Sequence, residues 1–299
     1  MTVDVILITY NQEKYVAQAV ESILMQRVND DVQVRVIVAD DGSTDKTLEI
    51  IKSYEENSPF SFMYLPVEKN MGHVHNYQRA FTACEGDYIC ALEGDDYWSS
   101  PFHINQHVKF LSEHTECSVS INKIVIYNEN EKSWYVRDNY TNQLISYIDI
   151  TKQIHENYLG NHSACCYRVE LIKQLPELLF GKYFDDWFLG MWLCQFGLIA
   201  QLDMVTSVYR IHNLGIYSSL SQVDRNELDI KRLEFCKKIL PEVYHGTIND
   251  SIALRMCVQT NQNDFRQWIP DILILLMKLL IPLAIRRILK RLLKLKQNV

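Results

Sequence analysis

VRVIVADDGSTD, residues 34–45, decides how the first third of the chain is read. Val34 to Ala39 is a short β-rich apolar run of the kind that forms a buried strand. Asp40 and Asp41 end it beside Gly42, which permits a tight turn. Working outward, Val3 to Ile8 is a second such run, and Tyr15 to Met25 repeats Val16, Ala19, Val20, Ile23 and Leu24 at helical spacing. Helices follow at about Thr44–Glu55 and Gly72–Ala83, with strands near Phe62–Leu65 and Tyr88–Leu92. Strands separated by helices imply an α/β fold: a mostly parallel central sheet flanked by helices, with ligands at the carboxyl ends of its strands. Thr9-Tyr10-Asn11-Gln12 follows the first strand where a dinucleotide-binding fold needs G-x-G-x-x-G, which excludes the hydride-transferring class. The Asp40–Asp41 pair suits hydrogen bonding to a base or ribose edge. A plain Asp-Gly turn feeding a helix capped by Ser43 or Thr44 is the simpler alternative.

Two further acidic sites stand at element ends. Leu92-Glu93-Gly94-Asp95-Asp96-Tyr97-Trp98 places three carboxylates within four residues, which repel one another unless a cation sits among them. Oxygen ligands together with diphosphate oxygens suit Mg²⁺ or Mn²⁺. A solvated acidic loop is the alternative. Asp185-Asp186 precedes an apolar helix reading from Asp186 to Phe196 and closed by Gly197. One aspartate is enough for an N-cap; the other is placed to accept the proton of an attacking hydroxyl. Downstream, Val208-Tyr209-Arg210-Ile211-His212 offers Arg210 and His212 as contacts for a diphosphate or a metal, with Ser218, Ser219 and Ser221 nearby.

Ser100 and Pro101 suit the N-cap and first position of a helix carrying Ile104, Val108 and Leu111. Residues 117–168 read as short strands and loops, and Asp224–Leu240 as a helix. The net charge of −7 conceals an asymmetry: seven Lys/Arg and no Asp/Glu lie from Lys278 onward, so the preceding body is the more acidic part. Such a body excludes nucleic acid as the main ligand. The eight cysteines show no C-x-x-C spacing and sit mostly in apolar runs, which predicts buried thiols in a reducing compartment. Met1–Thr9 lacks a basic n-region, so no signal peptide is expected and the protein is placed in the cytoplasm.

Together, VILITYNQEKYVAQAVESILMQ, VIVADDGSTDKT, NMGHVHNYQRAF, GDYICALEGDDYW, YFDDW and VYRIH resemble, in order and approximate spacing over residues 2–215, the family-2 glycosyltransferases of GT-A fold. That resemblance implies an inverting transfer of a sugar from a nucleotide-diphosphate donor, UDP-sugar foremost, to a hydroxyl acceptor. It implies that Thr9, Tyr10, Asn11 and Asp41 hold the nucleoside with Asp40 beside them, and that Asn70 and Gly72 line the donor site. Glu93–Asp96 stands for the DXD motif, with Asp96 or Asp95 as the direct ligand of Mn²⁺ or Mg²⁺, and Asp186, with Asp185 as understudy, supplies the base. Glu93 stands where many members have Asp, and Asn76-Tyr77-Gln78-Arg79 departs from the Arg-Asn that many relatives carry at positions 77 and 78. No Q-x-x-R-W follows, which points to single additions. A nucleotidyltransferase usually needs a Gly- and Arg-rich loop after strand one, absent here; an inactive sugar-nucleotide-binding protein of the same fold is the other alternative.

The expected organisation is a catalytic domain over 1–222, with a nucleotide-sugar half to about residue 100 and an acceptor half from 101. A helical extension over 223–267 and an amphipathic basic tail over 268–299 follow. In the tail, Ile272–Ile285 is apolar apart from Lys278 and Pro282, but fourteen helical residues span only about 21 Å against a ~30 Å hydrocarbon core. Beyond it, Ile288, Leu289, Leu292, Leu293 and Leu295 share one helical face, and Arg286, Arg287, Lys290, Arg291 and Lys294 the other. That pattern predicts a helix lying in an anionic membrane surface, with packing on protein as the alternative. A lipid-linked precursor of a bacterial surface polysaccharide, a glycan acceptor presented at the inner face of the cell membrane, would explain it.

Overall fold

A computed structural model describes residues 1–67, 69–137, 143–213 and 220–260. The basic tail, Ser218 and Ser219 lie outside these residues. The chain divides into two units, the first ending at Ser219.

The first unit alternates as expected: β1 (Thr2–Thr9), α1 (Val16–Leu24), β2 (Gln33–Asp40), α2 (Thr47–Ser53), β3 (Ser61–Tyr64), α3 (His73–Ala83) and β4 (Tyr88–Glu93). These four strands pair in parallel in the order β3-β2-β1-β4. The chain leaves β1 toward β2 on one side and reaches β4 on the other, so the crevice at their carboxyl ends is a topological switch point. Register places Thr9 beside Asp40, and Ile8 beside Glu93, which sets the two acidic loops on either side of the end of β1. Val16, Ala19, Val20 and Ile23 of α1 pack with Val3, Val5, Leu7, Val36, Val38 and Leu92 in one core. Each buried Val, Leu or Ile side chain there contributes ~1.5–3 kcal/mol.

Beyond β4 the sheet is mixed. β5 (Tyr97–Trp98), α4 (His103–Glu113), β6 (Cys117–Asn128), β7 (Ser133–Val136), β8 (Ile145–Ile148), α5 (Ile150–His155), β9 (Cys165–Arg168), α6 (Val169–Ile172), α7 (Asp186–Leu193) and β10 (Leu198–Ile211) complete the unit. The path continues β4-β9-β6-β10-β5; β9 is antiparallel to both β4 and β6, and β10 runs parallel to β6. Within residues 117–168, read from sequence as short strands and loops, β7, β8 and β9 are short but β6 is long; the long β10 after α7 carried no strand reading. α4 starts two residues later than expected: Phe102 is its N-cap, and Ser100 Oγ accepts from the Phe102 amide. α7 ends at Leu193, three residues before the predicted end.

α4 buries two histidines. His103 stacks on Trp98 at 4.3 Å and places Nδ1 2.8 Å from Thr206 Oγ1, while His107 Nδ1 lies 2.8 Å from Ser120 Oγ. Burial lowers both imidazoles, His107 to about 4. At the opposite end of the strands, buried Asp4 accepts two bonds from Arg35 on β2 and the amides of Glu85 and Gly86. A charge inside a strand is tolerable because both carboxylate oxygens accept bonds, four in all, two of them from a guanidinium.

The second unit begins at Leu220 and contains α8 (Gln222–Cys236) and α9 (His245–Thr260), with Leu233, Cys236, Ile248 and Ile252 buried. Ser221 caps α8 through the Asp224 amide. No helix among the described residues is long and apolar enough to cross a membrane. The eight cysteines are free thiols, with Cys194 and Cys257 partly exposed and the others buried.

Candidate active site

The first acidic loop closes on itself. Asp40 Oδ2 accepts from Thr9 Oγ1 (3.0 Å) and Ser43 Oγ (2.6 Å), and Oδ1 accepts from the Ser43 amide (2.8 Å). Asp41 reaches across to the 70–72 segment, where its two oxygens accept the Met71 amide (2.9 Å) and the Gly72 amide (2.8 Å). Asn70 Oδ1 accepts from the same Gly72 amide at 3.1 Å. Asn11, left-handed at φ 51°, donates its amide to Ser43 Oγ and accepts the Thr44 amide through Oδ1. Gly42 has φ 75°, and a Cβ there would come within 3.0 Å of the Asn70 amide nitrogen, so only glycine lets the two loops approach this closely. Thr9, Asn11, Asp40, Asp41, Asn70 and Gly72 thus meet at the ends of β1 and β2, with Tyr10 on the rim, 43% exposed.

Asn76 and Arg79 on α3 brace this loop from behind. Asn76 Nδ2 donates to Ala39 O at 2.6 Å; Arg79 donates to Asn76 Oδ1, to Asp40 O and to the carbonyls of Leu65 and Pro66.

The second acidic loop is held from outside. Asp96 is buried, and both its oxygens are engaged: Oδ1 accepts the Arg210 amide (2.9 Å), and Oδ2 accepts Ser163 Oγ (2.7 Å) and Asn161 Nδ2 (2.8 Å). Glu93 accepts from Tyr77 OH at 2.9 Å through Oε1. Asp95 turns the other way, placing Oδ2 2.9 Å from His212 Nε2, while its carbonyl accepts from Arg210 Nε. A Cβ on Gly94 would meet Gln12 Oε1 at 2.5 Å and Thr9 Cγ2 at 2.6 Å, so this loop too is packed against the end of β1. The Arg210 guanidinium stacks near Tyr15 (4.9 Å) and Tyr97 (5.5 Å) and donates to Gln18. It is aimed at the loop by rings the sequence did not single out.

Burial, reinforced by Asp95, pushes the Asp96 carboxyl up to about 7 against the bonds that favour its charged form. Burial and then the charges of Asp96 and Asp95 raise Glu93 well above the carboxylate range, and Asp186 adds to the effect. The Asp186 charge is therefore felt at this cluster. Asp185 caps α7 by accepting the Phe188 amide at 2.9 Å. Asp186, first residue of the helix, accepts only its neighbour Trp187 amide among the bonds to its side chain described here. Phe184, just before the pair, packs on His162 and Tyr77.

The Asp40–Asp41 and Glu93–Asp96 loops flank the end of β1, Arg210 and His212 contact the second of them, and Asp185 and Asp186 stand at the start of α7. Ser221, the N-cap of α8, belongs to the second unit. Sequence reasoning missed Tyr77, Asn161 and Ser163. Tyr77 lies on the inward face of a predicted helix; Asn161 and Ser163 sit in a stretch with no periodic signal. Among the described residues, no cluster of three or more His, Cys, Asp and Glu side chains is arranged to hold a metal ion.

Residues 4–175 match the family described as Glycosyl transferase family 2. An uncharacterized protein of Mycobacterium tuberculosis is 31% identical over 223 residues, covering 72% of this chain and 60% of that protein. An uncharacterized glycosyltransferase of Methanocaldococcus jannaschii is 24% identical over 189 residues, 62% of this chain and 63% of its own length. The chain thus spans less than two thirds of the length of these relatives. Among solved structures, Staphylococcus aureus TarS 1-349 in complex with UDP-GlcNAc superposes with a TM-score of 0.63 at 20% identity, over 95% of this chain and 77% of that one. The mannosyltransferase PcManGT from Pyrobaculum calidifontis, in complex with GDP-Man and Mn²⁺, gives 0.60 at 15% identity, over 98% and 79%. These likenesses identify the mixed sheet and its helices as a GT-A type fold, and on its sequence the chain belongs to glycosyl transferase family 2.

Proposed function

We propose that this transferase moves a sugar from a UDP-sugar to a hydroxyl group of a glycan or lipid-linked glycan, inverting the anomeric centre. The observation that carries the reading is the meeting of Asp95 and His212 at 2.9 Å beside Asp96, within electrostatic reach of Asp186. The Thr9–Asn11, Asp41 and Asn70–Gly72 loops form the nucleoside side of the crevice. Asp40 and Asp41 act there chiefly by fixing the loops, since their oxygens are engaged by protein donors.

Asp95 and His212 offer one carboxylate and one imidazole nitrogen, a donor set that fits Mn²⁺, with Mg²⁺ the harder alternative. A hard cation completed by diphosphate oxygens needs no cluster of three protein ligands. The ion supplies charge neutralisation for the departing diphosphate. Of the two adjacent aspartates, Asp95 is the better ligand because Asp96 has both oxygens bonded within the protein. The motif alone left Asp96 and Asp95 as alternatives.

Asp186 accepts the acceptor hydroxyl proton as that oxygen bonds to the anomeric carbon, and the bond to the diphosphate breaks on the opposite face. Asp185 is committed to capping the helix that carries it. Arg210, held against the Asp95 carbonyl, adds fixed positive charge next to the leaving group. The basic tail would hold the enzyme at the anionic inner face of the membrane, where lipid-linked precursors of bacterial surface polysaccharide are presented. A panel of UDP- and GDP-sugars, each with and without Mn²⁺, tests the donor assignment through protection against thermal unfolding. The reading expects Mn²⁺-dependent protection by UDP-sugars; equal indifference to every nucleotide, with metal present, would overturn it.

A further inference from the structure

The backbone of the acidic loop Glu93–Asp96 is turned by the Asp96 amide donating to Glu93 O and is tied to β1 by the Gly94 amide donating to Ile8 O. Its carboxylates repel, and the side chains of Glu93 and Asp96 take their restraint from elsewhere. Much of it comes from the turn at residues 161–163, almost seventy residues away. Ser163 Oγ accepts the Glu93 amide at 3.1 Å and donates to Asp96 Oδ2 at 2.7 Å, so one hydroxyl ties both ends of the loop. Asn161 Nδ2 donates to the same Asp96 oxygen at 2.8 Å and reaches Glu93 Oε2 at 3.5 Å. Between them, the His162 ring lies 4.4 Å from Tyr77, whose hydroxyl donates to Glu93 Oε1, which closes a ring of contacts around the loop.

The turn is itself anchored without help from the carboxylates. Trp98 Nε1 donates to Ser163 O at 2.9 Å, the Asn161 amide donates to Leu159 O at 2.8 Å, and Asn161 Oδ1 accepts the Ser163 amide. Restraint therefore passes from the turn to the loop. Remove Ser163 Oγ, and the buried Asp96 oxygen loses a donor while Asp95 and Glu93 still repel it. The loop then has reason to relax, and Asp95, next in the chain, leaves His212.

We infer that Asn161 and Ser163 are positioning residues that hold the Glu93–Asp96 loop in the form in which Asp95 and His212 bind a metal–diphosphate group. This rests on the assignment of Asp95 and His212 proposed above. Groups that orient a metal ligand commonly change metal affinity by about 10–100-fold when removed. The test is calorimetric titration of UDP into the full chain, once with saturating Mn²⁺ and once with EDTA, for wild type, Ser163→Ala and Asn161→Ala. In each variant, Mn²⁺-supported UDP affinity should fall about 10–100-fold, whereas metal-free UDP affinity, set by the Thr9–Asn11 and Asp41 side, stays at the wild-type value. A general loss of structure would weaken both together and overturn the inference, as would Mn²⁺-supported binding at wild-type strength in both variants. Should Ser163→Ala not fold, Asn161→Ala carries the same expectation. If wild type itself shows no Mn²⁺ effect, the metal assignment fails instead, and the two failures are told apart.

Discussion

Two Asp-Asp pairs stand at the ends of the parallel strands that flank β1, Asp40–Asp41 after β2 and Asp95–Asp96 after β4, and they are kept in place by opposite means. The first pair is satisfied by its own loop and the next one: Ser43 three residues on, Thr9 across the ladder, and the backbone amides of Met71 and Gly72. The second is satisfied from far along the chain, by Asn161, Ser163 and the amide of Arg210. The consequence is electrostatic. Asp96 is buried beside like charge and pushed up to about 7, and burial with the charges of Asp96 and Asp95 raises Glu93 well above the usual carboxylate range. A loop built from local hydrogen bonds gives a rigid cradle for a ligand. A loop of crowded carboxylates held at a distance is a site that a cation completes.

The largest effect should come from a third pair. Asp186→Asn removes the proposed base and should lower kcat by ~10²–10⁴-fold with little change in donor affinity. Asp185→Asn, whose side-chain oxygen can still accept the Phe188 amide, should change stability little and the rate far less than Asp186→Asn does. Steady-state kinetics and thermal melts on both variants check this; a dead Asp185→Asn beside a near-normal Asp186→Asn would exchange the two roles. The next effect sharpens the contrast between the loops. Asp41→Asn turns one of two acceptors for the Met71 and Gly72 amides into a donor, a mismatch worth ~1–3 kcal/mol. Loosening the cradle should raise the KM for donor while leaving kcat at saturating donor close to wild type. A fall in kcat with KM untouched would mean that Asp41 takes part in the chemistry.

The same contrast explains what was legible in the sequence. Local features were read well: Val34–Ala39 as a strand, Val16 to Ile23 as an amphipathic helix, the acidic residues as strand-end features, and Asp185 as a cap. Their signals are periodicity and neighbouring turn residues, which act over a few positions. β6 and β10 were under-read because their pairing partners are distant and their polar interior residues, such as Ser120, Asn122 and Ser207, break the apolar pattern. Those same residues are buried, and Asn122 Nδ2 bonds Ser207 Oγ at 2.8 Å inside the sheet. Asn161 and Ser163 carry no local signal at all; their partners are fixed only once β9 lies beside β4. Motif position left Asp96 and Asp95 as alternative metal ligands, because it cannot show that both Asp96 oxygens are engaged by protein donors.

A smaller effect concerns the support beneath the second loop. His107, lowered from 6.5 to about 4 by burial, is held neutral in the folded protein. Its unfolded form takes up a proton first, so this contribution to stability is fully present above about pH 6.5 and declines as pH falls toward 4, by up to ~1.4 kcal/mol per pH unit. The raised carboxyls of Asp96 and Glu93 act in the opposite sense over this range, so the His107 share is read from urea midpoints of wild type and His107→Gln at pH 7.5 and pH 5: the variant should lose less, or gain more, stability on going to pH 5 than wild type does. The same pH dependence in both proteins would mean that the imidazole is not buried in neutral form.

The most direct test of the account is UDP affinity in wild type and Asp95→Asn, each with Mn²⁺ and with EDTA, read by calorimetry alongside the melting temperature. The account predicts that Mn²⁺ tightens UDP binding in wild type, that Asp95→Asn loses this gain while keeping metal-free affinity, and that its melting temperature stays near that of wild type. UDP bound equally well by wild type with and without Mn²⁺, or an Asp95→Asn variant that keeps the full Mn²⁺ effect, would contradict it.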